Sequence, residues 1–131
     1  MRIGWALEGI APKPSDRLLE IGCGQGLAVA AVCEGLTSGT ILAIDRSATM
    51  IAAARRRNRD HERERKAAFA TKALAEMAFG PQRFDKVLAI NVNLFWRDRE
   101  TVARLETGGF SGAVVRKGTG TTARPSHVSA A

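Results

Sequence analysis

Short apolar runs alternate with helical patterns over the first ninety residues. The runs predict strands over Leu18–Ile21, Ile41–Asp45, Ala67–Ala70 and Phe84–Asn93, the third being the weakest. Between the first two strands, the spacing predicts a helix from about Gln25 to Leu36. Ser47 is a suitable N-cap for a second helix, which would place Met50, Ile51 and Ala54 on its inner face.

The first strand leads directly into a glycine-rich turn. Leu18, Leu19 and Ile21 fit a strand that is covered on both faces of a parallel sheet. Gly22, Gly24 and Gly26 follow, and glycine permits both a tight turn and a closely approaching ligand. The helix behind the turn would direct its free N–H groups at whatever occupies it.

The spacing of these glycines discriminates between two classes of nucleotide ligand. A dinucleotide-binding turn needs G-x-G-x-x-G, but this chain has G-x-G-x-G followed by Leu27. With Glu20 two residues before the first glycine, the string LLEIGCGQG resembles motif I of the class I S-adenosylmethionine-dependent methyltransferases. The alternative is that the glycines serve packing alone.

This resemblance implies a fold. The chain length predicts a single domain over residues 1–131, and the resemblance implies a three-layer Rossmann-like α/β sheet that is mostly parallel and carries helices on both faces. A C-terminal antiparallel hairpin is typical of the family. The stretch after Trp96 is too short for all the usual elements, so we expect one strand-helix unit to be missing near 105–109.

The resemblance also implies a set of cofactor contacts. Glu20 would lie near the amino group of S-adenosylmethionine, the glycine turn near its amino-acid part, and Asp45 at its ribose hydroxyls. The full predicted set is Glu20, Gly22, Cys23, Gly24, Gly26, Asp45, Arg46, Met50 and Asn91. Two alternatives stay open: Asp45 could instead stabilise a helix N-terminus, and Met50 could belong to the core.

One position departs from the family pattern. An acid commonly follows the third strand and contacts the adenine amino group, but this chain has Lys72 there. Because an ammonium group cannot accept a hydrogen bond, adenine recognition would use backbone groups or be weaker.

The end of the fourth strand and the rest of the chain would serve the acceptor side. Asn91 and Asn93 could line the site, while Phe95 and Trp96 would either wall an acceptor pocket or cover the sheet. We expect a helix from Asp98 to Leu105. The segment ETGGFSGAVVRKG then fits either a fifth strand or the first strand of the final hairpin.

Composition narrows the function classes. The 131 residues carry a net charge of +7 and are 45% hydrophobic, as expected of one globular domain. Much of the positive charge falls in Arg55–Lys66, where mixed signs favour a solvated helix face over a nucleic-acid site. Cys23 and Cys33 lack metal-binding spacing and are expected to be reduced thiols, and the histidines match no ligand pattern. Without a membrane-spanning run or a signal-peptide pattern, a cytoplasmic location is the default expectation.

The leading hypothesis is methyl transfer from S-adenosylmethionine to a small molecule. Such a displacement mainly needs alignment and exclusion of water, so we name no catalytic acid or base and no metal. A binding-only or catalytically impaired relative is the alternative, and an NAD-linked oxidoreductase is disfavoured by the glycine spacing. An exposed edge left by a missing strand would favour a homodimer.

Overall fold

The computed structural model describes residues 10–76, 84–90 and 114–116. Its elements in chain order are β1 (Arg17–Ile21), α1 (Leu27–Cys33), β2 (Thr40–Asp45), α2 (Ala48–Arg57), α3 (Arg59–Arg63), β3 (Ala67–Thr71), a 3₁₀ helix (Leu74–Glu76), β4 (Lys86–Ile90) and β5 (Val114–Arg116). Strands therefore alternate with helices through the first half of the chain, which is the arrangement that builds parallel sheets.

The strands form one five-stranded sheet in the order β3-β2-β1-β4-β5. Every pairing among them is parallel, from β2 with β3 to β4 with β5. The chain runs from β1 outwards to β2 and β3, and then returns to the other side of β1 with β4. This reversal beside β1 is the point where α/β sheets of this kind bind ligands, outside the carboxyl ends of the strands. The predicted Rossmann-like fold class is confirmed.

Both faces of the sheet are buried. One face packs against α1 and α2, and its core cluster includes Leu18, Ile41 and Phe69 from the strands with Val29 and Ile51 from the helices. On the opposite face, Leu19, Ile44 and Val87 are also almost fully buried. Burial on both sides explains why the strands are nearly continuous apolar runs.

The predicted helix bounds need correction. The first helix is shorter than predicted at both ends. Gly26 has a left-handed backbone, and after Cys33 the N–H groups of Gly35 and Leu36 bond to the carbonyl three residues earlier instead of four. Ser47 does cap α2, since its hydroxyl accepts a hydrogen bond from the Met50 N–H at 3.2 Å. Ile51 and Ala54 face the core as predicted, whereas Met50 is only half-buried.

The strand bounds agree more closely. β3 runs one residue further than predicted, to Thr71, and the described part of β4 is Lys86–Ile90. Val114–Arg116 pairs in parallel with β4, as a fifth strand does, rather than in an antiparallel pairing. The hairpin, the missing unit and the helix at 98–105 lie outside the described residues and stay predictions.

The charged segment Arg55–Lys66 forms the end of α2 and all of α3, and no residue of α3 is buried. Arg63 and Asp60 form an ion pair at 2.9 Å, and Arg55 approaches Glu62 at 3.8 Å. The prediction of a solvated surface holds for these charges. It is wrong for Asn58, which lies in the middle of the segment and is only 1% exposed.

Candidate functional site

The glycine turn closes over the carboxyl ends of β1 and β2. Gly22, Gly24 and Gly26 have φ angles of 71°, 57° and 82°, in the left-handed region where other residues are strained. The N–H groups of Gly22 and Cys23 both donate to the Ile44 carbonyl, at 2.8 and 3.0 Å. The turn is therefore held against β2, beside the acid that ends that strand.

Two of the glycines face different surroundings. A Cβ atom built on Gly24 would meet nothing within 4 Å, so this part of the turn borders open space. A Cβ atom on Gly26 would lie 2.7 Å from the Asn58 amide nitrogen and 3.0 Å from the Ala54 Cβ. Gly26 is thus required for close packing against α2. Its predicted contact with a cofactor stays a prediction.

Asn58 joins the end of α2 to the glycine turn. Its side-chain amide donates to the Gly26 carbonyl at 3.1 Å and to the Ala54 carbonyl at 3.0 Å, and its oxygen lies 3.1 Å from His61 Nδ1. Sequence reasoning missed this residue. The one available signal was an asparagine at the helix end, a position where its short polar side chain is useful, but the partner is 32 residues away in sequence.

Asp45 points at the turn from the end of β2. One carboxylate oxygen accepts from the Gly24 N–H at 2.9 Å, and the other accepts from the Ser47 N–H at 2.9 Å. The second contact is the helix-start role considered as an alternative. A carboxylate offers about four acceptor positions, so two remain for further donors.

Glu20 is a buried carboxyl group behind the turn. It is 2% exposed, and its Oε1 has no hydrogen-bond partner among the described residues. Burial, with a further contribution from the negative charge of Asp45, raises the pKa of Glu20 to about 8. At neutral pH this carboxyl group is therefore mostly protonated.

Cys23 turns inward from the same loop. Its thiol donates to the Gly24 carbonyl at 3.6 Å, and burial, followed by the charges of Glu20 and Asp45, raises its pKa to about 12. Burial also raises the pKa of Cys33, to about 11. Both cysteines are free thiols, as predicted. A thiol that stays protonated at neutral pH is a poor nucleophile, so Cys23 shapes the turn rather than reacting.

An open cavity of about 470 Å³ lies next to Asp45, on the β3 side. It is lined by Arg46, Thr71, Lys72, Ala73 and Glu76. The backbone of its lining residue Lys72 is fixed to the end of β2, because the Lys72 N–H donates to the Asp45 carbonyl at 2.9 Å. The predicted residues Arg46 and Asp45 are thus neighbours at one edge of the sheet, with the turn on one side and the cavity on the other.

The remaining predictions fall on other parts of the chain. Asn91, Asn93, Phe95 and Trp96 lie outside the described residues. Within the described ranges, no group of three or more His, Cys, Asp or Glu side chains could hold a metal ion. None of the helices in those ranges is long and apolar enough to cross a membrane.

The parallel sheet, the reversal beside β1 and the bare turn at its carboxyl edge define a Rossmann-like α/β protein. The family model described as "Methyltransferase domain" matches residues 18–107, which is more than half of the chain. This chain belongs to that methyltransferase domain family. A search of curated proteins found no match.

Solved structures share the fold. The [4+2]-cyclase SpnF superposes with a TM-score of 0.72 at 19% identity, covering 88% of this chain and 43% of the cyclase. A dimethyladenosine transferase from Plasmodium falciparum gives 0.70 at 22% identity, over 86% of this chain and 39% of the transferase. The mycolic acid cyclopropane synthase CmaA1, complexed with S-adenosylhomocysteine (SAH), gives 0.66 at 16% identity, over 82% and 36%. The chain spans less than half the length of these proteins.

Proposed function

We propose that this chain binds S-adenosylmethionine across the carboxyl edge of β1 and β2 and takes part in methyl transfer to a small molecule. The observation that carries the proposal is the pair of acids flanking an open glycine turn. Glu20 is a buried carboxyl without a partner for one oxygen, and Asp45 retains acceptor capacity. These groups suit a ligand with a cation at one end and a sugar in the middle.

Glu20 supports the amino-acid end of the donor. A buried carboxyl that lacks a counter-charge keeps its proton at neutral pH, and an ammonium group beside it would favour the ionised form and a charge-assisted hydrogen bond. The contact is direct or through one water. Gly24 supports the same end, because its bare Cα borders open space and allows the backbone to approach the ligand.

Asp45 supports the ribose. Its two oxygens are already oriented by the N–H groups of Gly24 and Ser47, so the carboxylate is held in place before a ligand arrives. Each hydroxyl-to-carboxylate hydrogen bond contributes about 1.5–3 kcal/mol, since one partner is charged. A preoriented carboxylate loses little freedom on binding, which favours affinity.

The chemistry needs little from the protein beyond alignment. S-adenosylmethionine supplies a methyl group on a positively charged sulfur. The acceptor's lone pair forms the new bond to the methyl carbon while the carbon–sulfur bond breaks and sulfur keeps its electron pair. The chain's own residues hold the donor and exclude water from one side.

A fold neighbour supports the small-molecule acceptor. One fold neighbour is a geranyl diphosphate C-methyltransferase from Streptomyces coelicolor in complex with its small-molecule substrate and SAH. Another neighbour is a cyclase, which shows that the fold alone does not determine the reaction. A homodimer and a cytoplasmic location also stay predictions; sedimentation at high concentration would test the former.

Calorimetry on the full chain tests the donor site. We expect S-adenosylmethionine and SAH to bind and NAD not to bind. Asp45→Ala should weaken SAH binding at least about tenfold through the lost ribose contacts. Asp60→Asn is the matched control, because Asp60 is an exposed acid paired with Arg63, and it should leave binding unchanged.

Binding of NAD in place of the two adenosyl ligands would overturn the proposal. If the adenosyl ligands bind, transfer of a labelled methyl group to a member of a small-molecule panel would establish activity. Binding without any transfer would favour the impaired relative.

A further inference from the structure

The cavity beside Asp45 has an unusual chemistry for a base-binding site. Three parts of the proposed ligand would follow three features along the sheet edge, with the amino-acid part at β1, the ribose at Asp45 and the base beyond it. The base would then enter the cavity lined by Arg46, Thr71 and Lys72, since Thr71 pairs in register with Asp45. This inference rests on the proposed function for the position of the ribose.

The charged side chains on two walls can only donate hydrogen bonds. Arg46 and Lys72 are both exposed, and among the described residues neither side chain has a hydrogen-bond or ion-pair partner. Guanidinium and ammonium groups have no acceptor atom. Glu76 is the acid of the cavity; its Oε1 accepts from the Ala73 N–H at 2.7 Å, and its other acceptor positions make it the competitor of the two cations for an amino group.

Next to Arg46 and Lys72, an amino group on the base is disfavoured. Adenine presents an amino donor at C6 beside the N7 acceptor, whereas a 6-oxopurine such as hypoxanthine presents two acceptors, O6 and N7. Lysine and arginine pair with the O6/N7 edge of 6-oxopurines, and the adenine edge offers them only N7. A donor side chain facing the adenine amino group cannot form a hydrogen bond with it.

We propose that Lys72 is the base-specificity residue of this site and makes the cavity accept a 6-oxopurine nucleoside at least as well as an adenine nucleoside. Lys72 is placed for this by its own backbone, because its N–H is bonded to the strand that ends in Asp45. The side chain therefore starts within one residue of the ribose contact. The cavity of about 470 Å³ is large enough for a purine of either kind.

Calorimetric titration with S-adenosylhomocysteine and S-inosylhomocysteine tests this, because the two differ only at C6 and the adjacent ring nitrogen. For the wild-type chain we expect the ratio of Kd values, inosyl over adenosyl, to be one or less. Lys72→Asp should raise the ratio at least about tenfold, since an acid accepts from the amino group and repels the keto oxygen. The ratio removes any general effect of the added charge on binding.

Lys72→Met is a second variant, which removes the donor without adding a charge and should raise the ratio by less. Lys13→Met is the matched control, since Lys13 is exposed and is not among the residues that line the cavity, and the ratio should not change. A wild-type ratio above ten that neither Lys72 variant alters would overturn the inference. A ratio that responds to Glu76→Gln but not to Lys72→Asp would also overturn it, in favour of Glu76.

The outcomes separate the two proposals. If both nucleosides bind and the Lys72 variants leave the ratio unchanged, the donor site survives and only the role of Lys72 fails. If neither nucleoside binds the wild-type chain, the proposed function fails and this inference fails with it.

Discussion

Replacing Glu20 by glutamine should change how the stability of the ligand-free protein depends on pH. Burial raises the pKa of this carboxyl from its ordinary value of 4.5 to about 8 in the folded state. Between these values the unfolded chain releases the Glu20 proton while the folded chain keeps it. The unfolded state then binds fewer protons, so the free energy of unfolding falls as pH rises.

The magnitude follows from the size of this interval. Each unit of pKa difference corresponds to about 1.4 kcal/mol, so the contribution is fully present below pH 4.5 and about 5 kcal/mol of it is lost by pH 8. Above pH 8 both states are ionised and the contribution is constant. This is a large fraction of the 5–15 kcal/mol, roughly, that stabilises a domain of ordinary size.

Urea unfolding at pH 5, 6, 7 and 8 measures the effect. The wild-type free energy should fall more steeply than that of Glu20→Gln, by about 1.4 kcal/mol per pH unit. Glu34→Gln is the matched control, because Glu34 is an exposed carboxylate at the end of α1, and it should keep the wild-type slope. Other ionisable groups cancel in the comparison between variants.

Parallel curves for the wild type and Glu20→Gln would refute this reasoning, because they would mean that Glu20 is already ionised in the folded protein. The same carboxyl links stability to binding. At pH 7, binding of SAH to the wild type should release close to one proton from Glu20, because the ammonium group of the ligand favours the ionised carboxylate. Binding of SAH to Glu20→Gln should release none. Calorimetry in buffers of different ionisation enthalpy measures this release.

Two further predictions concern the turn itself. Gly26→Ala should lower the free energy of unfolding by about 3 kcal/mol, because the new Cβ adds backbone strain and overlaps the buried Asn58 amide. Gly24→Ala adds only the backbone strain, so it should lower the free energy of unfolding by about 1 kcal/mol and act mainly on SAH affinity. Equal losses in thermal or urea unfolding would contradict this difference. Asn58→Asp, which keeps the size but removes the two N–H donors, should lower stability by about 1–3 kcal/mol and weaken SAH binding through the displaced turn. Unfolding and titration together measure it, and an unchanged unfolding curve would exclude the role.

The local elements were largely predictable from the sequence. Leu18, Ile41 and Phe69 lie in strands because parallel sheets bury both faces and so require apolar runs, which local sequence displays directly. The turn at Gly22 and the capping by Ser47 are likewise local, since each depends on the conformational preference or hydrogen bonding of one residue and its near neighbours.

The role of Asp45 was predicted from the family resemblance, with a helix N-terminus role as the alternative. In the structure β2 lies next to β1, and the carboxyl ends of parallel strands meet at one edge, so the acid that ends β2 lies beside the loop after β1. The strand order and the two hydrogen-bond partners of this side chain came from the structure.

Tertiary packing decided what the individual side chains do. Gly26 packs closely against α2 and does not border open space, and Asn58 is buried although it lies in a charged segment. Both outcomes depend on contacts between residues about thirty positions apart in sequence. The raised pKa of Glu20 likewise depends on how completely the sheet and helices exclude water around it. The sequence by itself determined the strands, the turn and the acids at the sheet edge, since these depend on short-range patterns. Only the tertiary structure decided which glycine borders open space and which acid holds a proton, because both depend on atoms that folding brings together.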